Sequence, residues 1–198
     1  MTRATYLETF IFDLDGTLIE LNLDFERIRH ALGIKERFIL EAISKLNDER
    51  LKREKLEILK RFEIESALRS NLMPYAREII EKLDELGLKK GIVTRNCRES
   101  VNIILKRFDL KFDFVITRED AEPKPSPKPI QLALKLTKSE PSKSITVGDF
   151  KFDLIAGKKA GTKTALVLTE RNRCMIHEFI HLADYVLHSL KDIEKLLR

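Results

Sequence analysis

Four polar clusters stand out for the chemistry their residue types allow: Asp13-Leu14-Asp15, Thr94-Arg95-Asn96, Lys124, and Asp149 with Asp153. Carboxylates drawn to one place repel one another and are tolerated around a cation. An all-oxygen donor set points to magnesium rather than zinc, which makes Asp13, Asp15, Asp149 and Asp153 candidate ligands for Mg2+. A bound phosphate would add further negative charge and would need fixed positive groups. Lys124, between Pro123 and Pro125, suits that role as a point charge on a stiff loop. Thr94 can offer its hydroxyl and its loop's N–H groups. These are the positioning and electrostatic parts that phosphoryl transfer requires. An aspartate nucleophile such as Asp13 would form an acyl-phosphate, splitting hydrolysis into two easier displacements. Asp15 can lie on the same side of an extended chain, protonate the leaving oxygen and later deprotonate the attacking water.

Each cluster follows a stretch that reads as a buried strand. Apolar or β-branched runs at 9–14, 91–94, 112–117, 144–148, 164–168 and 185–187 alternate with helical patterns at 100–108, 129–136, 153–160 and 189–197. A further helix opens at Pro74 and stops at Gly87, and Gly161 ends another. This alternation predicts an α/β fold, a doubly wound parallel-sheet Rossmann-like core. If the fourth strand pairs on the far side of the first, the order reverses between them, and the aspartates meet at that crevice. Residues 19–73 break the alternation. They hold only charged, periodic helix, with Ile39, Ile43, Leu46, Leu51, Ile58, Phe62 and Ala67 as the apolar stripe. The reading is a small all-helical insertion over 19–73, with the core built from 1–18 and 74–198. The proline-rich segment 123–129 is a stiff loop rather than a linker.

Bulk properties narrow the class. The 198 residues are 43% hydrophobic, with no run near the roughly 18 apolar residues that a membrane span needs. The apolar run Phe10-Ile11-Phe12 is too short for a secretory signal, so a cytoplasmic protein is expected. Cys97 and Cys174 form no CxxC pair, and no disulfide framework is expected. A charged fraction of 35% with a single glutamine, Gln131, suggests a protein from a hot environment. The net charge of +5 raises a nucleic-acid partner. Interleaved charges such as Glu49-Arg50-Leu51-Lys52-Arg53-Glu54-Lys55 instead read as a solvated, salt-bridged helix face.

Asp13-Leu14-Asp15-Gly16-Thr17, Thr94, Lys124-Pro125 and Gly148-Asp149-Phe150-Lys151-Phe152-Asp153 resemble, in order, the four motifs of the haloacid dehalogenase superfamily. The likeness is to its phosphoglycolate-phosphatase-like branch and spans residues from about 9 to 187. It implies that Asp13 is nucleophile and Mg2+ ligand, and that Asp15 is acid/base and binds the ion through its carbonyl. It implies further that Asp149 binds the ion directly while Asp153 supports the metal site. Thr94 and Lys124 would hold the phosphoryl group, and 19–73 would be a cap that closes over substrate. Asp15 favours phosphatase or phosphomutase chemistry, because the superfamily's dehalogenases lack the second aspartate. Two departures leave the substrate open: Phe150 where relatives often carry Ser or Thr, and Leu18-Ile19-Glu20 after the first motif.

The functional expectation is a Mg2+-dependent phosphatase acting on a small phosphorylated metabolite, phosphoglycolate-like or a sugar phosphate. The alternatives are a sugar phosphomutase and, from another class, a nucleic-acid-binding module. Arg95 and Asn96 read either as substrate-facing groups or as solvent-facing residues at a helix start. His177-Glu178-Phe179-Ile180-His181 matches the HExxH zinc pattern, but Asp184 and Leu187 stand where the extended motif needs Gly and His. These histidines are expected on an ordinary helix surface. Cys97, at a possible helix N-terminus, has no histidine near it in sequence and is expected to be a spectator.

Overall fold

Thr9-Phe10-Ile11-Phe12 alternates its side chains between two apolar layers, and this places it at the centre of the sheet. The computed structural model describes residues 7–197. Its strands are β1 (Thr9–Phe12), β2 (Lys89–Val93), β3 (Phe114–Ile116), β4 (Ser144–Gly148), β5 (Lys163–Val167) and β6 (Tyr185–Leu187). All neighbours pair in parallel, in the order β3-β2-β1-β4-β5-β6. Phe12 faces Ile92 of β2 on one side and Val147 of β4 on the other. The chain therefore winds outward from β1 to β3, returns beside β1, and winds outward again. The reversal falls between β1 and β4, where such sheets bind ligands.

Helices cover both faces. Phe10, Phe12, Ile92, Ile145 and Val147 pack against α4 (Ala76–Glu85) and α5 (Arg98–Phe108) through Ile79, Leu83, Val101 and Ile104. Ile11, Val93, Phe114 and Ile116 pack on the other face against α6 (Lys128–Thr137), with Ala156 of α7 (Lys151–Ala160) joining them. Gly87 and Gly161 follow or close their helices at positive φ, as helix-ending glycines do.

Between β1 and α4 lies an all-helical cap: α1 (Phe25–Leu32), α2 (Ile39–Ser44) and α3 (Glu49–Arg69). Asp24 caps α1 by accepting from the Arg27 N–H at 3.0 Å, and Asp48 caps α3 by accepting from Arg50 at 2.8 Å. The cap has its own apolar cluster of Ile28, Leu32, Ile39, Ile43 and Leu59. Of the stripe expected from sequence, Ile58 and Phe62 only flank this cluster, and Ala67 packs into the main core instead. The cap's two connections to the core are paired: Glu20 N–H donates to Asn71 at 2.9 Å and Met73 N–H to Leu18 at 2.9 Å. The charged start of α3 faces solvent, with Lys52 paired to Glu49 at 2.6 Å. Among the described residues no helix is long and apolar enough to cross a membrane.

Several boundaries differ from the sequence expectation by a residue or more. Strand β1 ends at Phe12, so Asp13 and Leu14 already belong to a turn in which the Leu14 carbonyl accepts from Leu18 and Ile19. Helix α4 starts at Ala76 because Tyr75 takes a left-handed φ of 66°, leaving Pro74 outside. The last helix is a 3-10 helix, Leu190–Leu196, buried through Leu190 and Ile193.

Leu83 is fully buried whereas Leu68 on α3 is 57% exposed. Leu83→Ala is expected to cost about 2–5 kcal/mol in denaturant unfolding, and Leu68→Ala within about 0.5 kcal/mol. Equal effects of the two would contradict this assignment of the core.

Candidate active site

The turn after β1 brings Asp13 and Asp15 to the carboxyl end of the sheet, where both line one cavity of about 240 Å3 between core and cap. Asp15 reaches the cavity by this tight turn and not by an extended strand, which corrects the sequence reading of how it gets there. Its carboxylate accepts from the Asn96 amide at 2.9 Å. Asp149 follows β4, and Asp153 sits in the first turn of α7, where it accepts from the Phe150 N–H at 3.1 Å and so caps that helix.

Lys124 is 1% exposed, and its ammonium ties these pieces together. It donates to Asp13 Oδ1 at 2.7 Å and to the Val93 carbonyl at 2.6 Å, and it lies 2.6 Å from Asp153 Oδ1. The ends of β1 and β2 and the first turn of α7 are thus joined through one side chain from the loop before α6. Burial alone would lower the Lys124 pKa, but Asp13 and Asp153 outweigh it and hold the ammonium above the ordinary lysine value.

The carboxylates are strained electrostatically. Burial raises Asp13 to about 7 despite Lys124 and raises Asp15 to about 6 despite its bond from Asn96. Burial, together with Asp13 and Asp153, pushes Asp149 well above the usual carboxylate range. Asp13, Asp149 and Asp153 each bring an oxygen within 4.8 Å of the others. Asp149 makes no ion pair among the described residues. Gly16, at φ +87°, lies so close to it that a Cβ there would stand 2.5 Å from Asp149 Oδ2. A cluster of hard oxygen donors this close, with one member lacking any cationic partner, fits a divalent cation of the magnesium type.

Thr94 follows β2, lines the cavity and accepts from the Asn96 N–H at 3.1 Å. The two residues left open beside it are not solvent-facing helix residues. Asn96 is buried, with its amide on Asp15. Arg95 pairs both guanidinium nitrogens with Glu41 of α2, at 2.8 Å each, donates to the Lys124 carbonyl, and lies 4.6 Å over the Phe152 ring. Phe150 packs 5.1 Å from Phe152 and 6.4 Å from Phe38 of the cap. It therefore forms part of an aromatic seam between core and cap.

Two functional neighbours carried no sequence signal. Glu63 of α3 is buried in an ion pair with Arg118 and lines the same cavity. Asn172 donates to the carbonyls of Asp149 and Val167, at 2.8 Å each, which fixes the turn after β5 beside the carboxylates. Cys97 does cap α5, but burial and then Glu63 push its thiol up to about 12, so it is no thiolate nucleophile. His177 and His181 lie exposed on separate one-turn 3-10 helices, Ile176–Glu178 and Ile180–Leu182. The single α-helical face that a zinc HExxH needs is missing there.

The chain is similar to known proteins over most of its length. The model of the haloacid dehalogenase-like hydrolases matches residues 20–167. The chain belongs to this family. The pyrophosphatase PpaX of Bacillus mycoides is 32% identical over 213 residues, covering 96% of this chain and 97% of that protein. Among solved structures, a hydrolase from Pseudomonas syringae superposes with a TM-score of 0.78 at 22% identity, covering 96% of this chain and 97% of that one. A predicted phosphoglycolate phosphatase from Haemophilus somnus superposes at 0.72 with 19% identity, covering 97% and 98%.

The raised carboxylates fix the sign of a pH dependence. Asp13 and Asp15 titrate near 7 and 6 in the folded protein, against 3.8 as the unfolded reference. Between those values the folded state holds more protons, so without divalent cations stability falls as pH rises from about 4 through 7. Melting in EDTA is expected to show this fall. Asp149→Asn removes one buried charge and should raise the metal-free melting temperature at pH 8; a lower one would contradict the argument.

Proposed function

We propose that the protein is a Mg2+-dependent phosphatase that hydrolyses a small phosphorylated substrate through an aspartyl-phosphate on Asp13. The observation that carries this reading is the Lys124 ammonium shared by Asp13 and Asp153 at the β1/β4 reversal, with Asp15 and Thr94 on the same cavity. The pyrophosphatase activity named for the PpaX relative supports a substrate with a phosphoryl group on a compact partner.

Asp13 and Asp149 would hold the ion directly, with the Asp15 carbonyl as a further ligand. Both Asp153 oxygens are already engaged by Lys124 and the Phe150 N–H, which suits an indirect role in the metal site. When bound, the ion supplies positive charge against which the carboxylates and the phosphoryl oxygens can approach one another. Lys124 and Thr94 orient the phosphoryl group, with the N–H groups after β2 close by. Asp13 attacks phosphorus as the leaving oxygen departs. Asp15, steadied by Asn96, donates a proton to that oxygen and then takes one from the water that cleaves the aspartyl-phosphate. We read residues 19–73 as the cap that excludes bulk water during these steps, with core 1–18 and 74–198 beneath it.

Steady-state hydrolysis with Mg2+ tests this. Asp13→Asn is expected to lower kcat by roughly three orders of magnitude or more. EDTA should abolish the wild-type rate and Mg2+ restore it. A mutant as fast as wild type, or a rate indifferent to EDTA, would refute the mechanism.

Mg2+ binding also has a readout without turnover. The ion is expected to raise the melting temperature of the wild type by linkage, and to do so far less in Asp149→Asn. An equal rise in both proteins would remove Asp149 from the metal site.

A further inference from the structure

Most charges around the cavity are already paired. Lys124 holds Asp13 and Asp153, Arg118 holds Glu63, and Arg95 holds Glu41. Two guanidiniums lining the cavity stand outside this scheme: Arg37 on the cap between α1 and α2, and Arg171 on the core after β5. Among the described residues neither makes an ion pair. Arg37 finds only the Met175 sulfur, 3.9 Å from Nη2, and a thioether is a weak acceptor. Arg171 lies near enough to favour the charge on Asp149, without pairing with it.

Both guanidiniums are set on aromatic faces. Arg37 lies 5.5 Å over the Phe38 ring, and Arg171 lies 4.9 Å over Phe25. A guanidinium held over a ring face by cation–π attraction can still offer N–H groups to an anion. Arg171 reaches from core to cap, and Arg37 from cap to core, so the two cross the same seam in opposite directions. Asn172 anchors the turn that carries Arg171, as its side chain accepts from Thr169 N–H at 2.9 Å while donating to Asp149 and Val167. The wall around them is apolar, with Leu23 and Phe25 on the cap and Met175 on the core. Both arginines are exposed at the mouth of the cavity, where a substrate entering between core and cap would meet them.

We infer that Arg37 and Arg171 form a second anion subsite, on the leaving-group side of the phosphoryl site. The substrate class is then a compact phosphate ester or anhydride bearing a second anion, either a carboxylate or a further phosphoryl group. This assignment rests on the proposed hydrolysis at Asp13. It favours doubly anionic substrates over esters whose leaving group is neutral, because the latter gain no contact from the two guanidiniums.

The test compares phosphoglycolate with ethylene glycol monophosphate, which carries a hydroxymethyl group in place of the carboxylate, and pyrophosphate with methyl phosphate. Values of kcat/KM are measured with Mg2+ for the wild type, Arg37→Gln and Arg171→Gln. Wild type is expected to favour the doubly anionic member of at least one pair. Each variant should lower that preference about tenfold, mainly through KM, the size expected for losing a charge-assisted hydrogen bond. Loss confined to the first pair assigns the subsite to a carboxylate, and loss confined to the second to a phosphoryl group. A preference unchanged in both variants overturns the proposal. Calorimetric binding of phosphoglycolate and pyrophosphate to Asp13→Asn protein, with and without the arginine substitutions, reads the subsite without turnover. Binding weakened by the substitutions supports the subsite even if the wild type hydrolyses nothing, which would sink the mechanism alone. Binding indifferent to them, or absent for both compounds, overturns the subsite.

Discussion

One buried ammonium governs how this sheet can end as it does. Asp13, Asp149 and Asp153 converge where the strand order reverses, and without a counter-charge such a cluster would repel itself apart. Lys124 supplies the only ammonium among the described residues that touches two of them, and it also binds the Val93 carbonyl at the end of β2. Removing one partner from a buried pair of this kind typically costs about 3–5 kcal/mol, because the other charge is left stranded. The loop before α6 is thereby bound to β1, β2 and α7 at once. Burial first, and the neighbouring aspartates after it, keep Asp13 and Asp149 above the usual carboxylate range in spite of the lysine. A divalent cation would offset both effects.

The cap is tied to this centre by more than its two chain connections. Arg95 immediately follows Thr94, and its guanidinium joins Glu41 of the cap to the Lys124 carbonyl. Phe38 of the cap meets Phe150 and Phe152 of the core, and Glu63 of α3 meets Arg118. Each contact crosses from cap to core within a short distance of the carboxylates. The position of the cap and the positions of Thr94 and Lys124 are therefore mechanically linked. In the proposed reaction a cap seated in this way would also lower the dielectric around the carboxylates, which strengthens charge interactions there.

Much of this was legible in the sequence, for a physical reason. In a parallel sheet ligands bind beyond the strand ends, so the candidates Asp13, Thr94, Lys124, Asp149 and Asp153 could be located by finding short apolar runs and reading the polar residues just beyond them. The reversal between β1 and β4 could only be stated conditionally, since pairing partners are not written in any local pattern. Asn96 was visible as a loop residue, but its bond to Asp15 joins positions far apart in sequence. Glu63 gave no signal, because a buried glutamate on a charged helix looks like its solvated neighbours. Arg118, Glu41 and Asn172 escaped for the same reason. The HExxH match, set aside on its sequence context, illustrates the converse: the spacing fits, but the segment folds as two separate 3-10 turns with no shared helical face. The C-terminal stripe kept its burial while adopting a tighter helix than its periodicity suggested.

The claim on which the rest turns is that Asp13 carries the phosphoryl group in mid-reaction. The direct measurement is rapid acid quenching of Asp15→Ala protein with substrate and Mg2+, followed by peptide mass mapping. In that variant the group that activates water is gone, so the aspartyl-phosphate should accumulate. The account predicts one phosphoryl group, on the peptide holding Asp13 and on that side chain. Phosphate found on another residue, or no covalent phosphoenzyme while substrate is still being turned over, would contradict it.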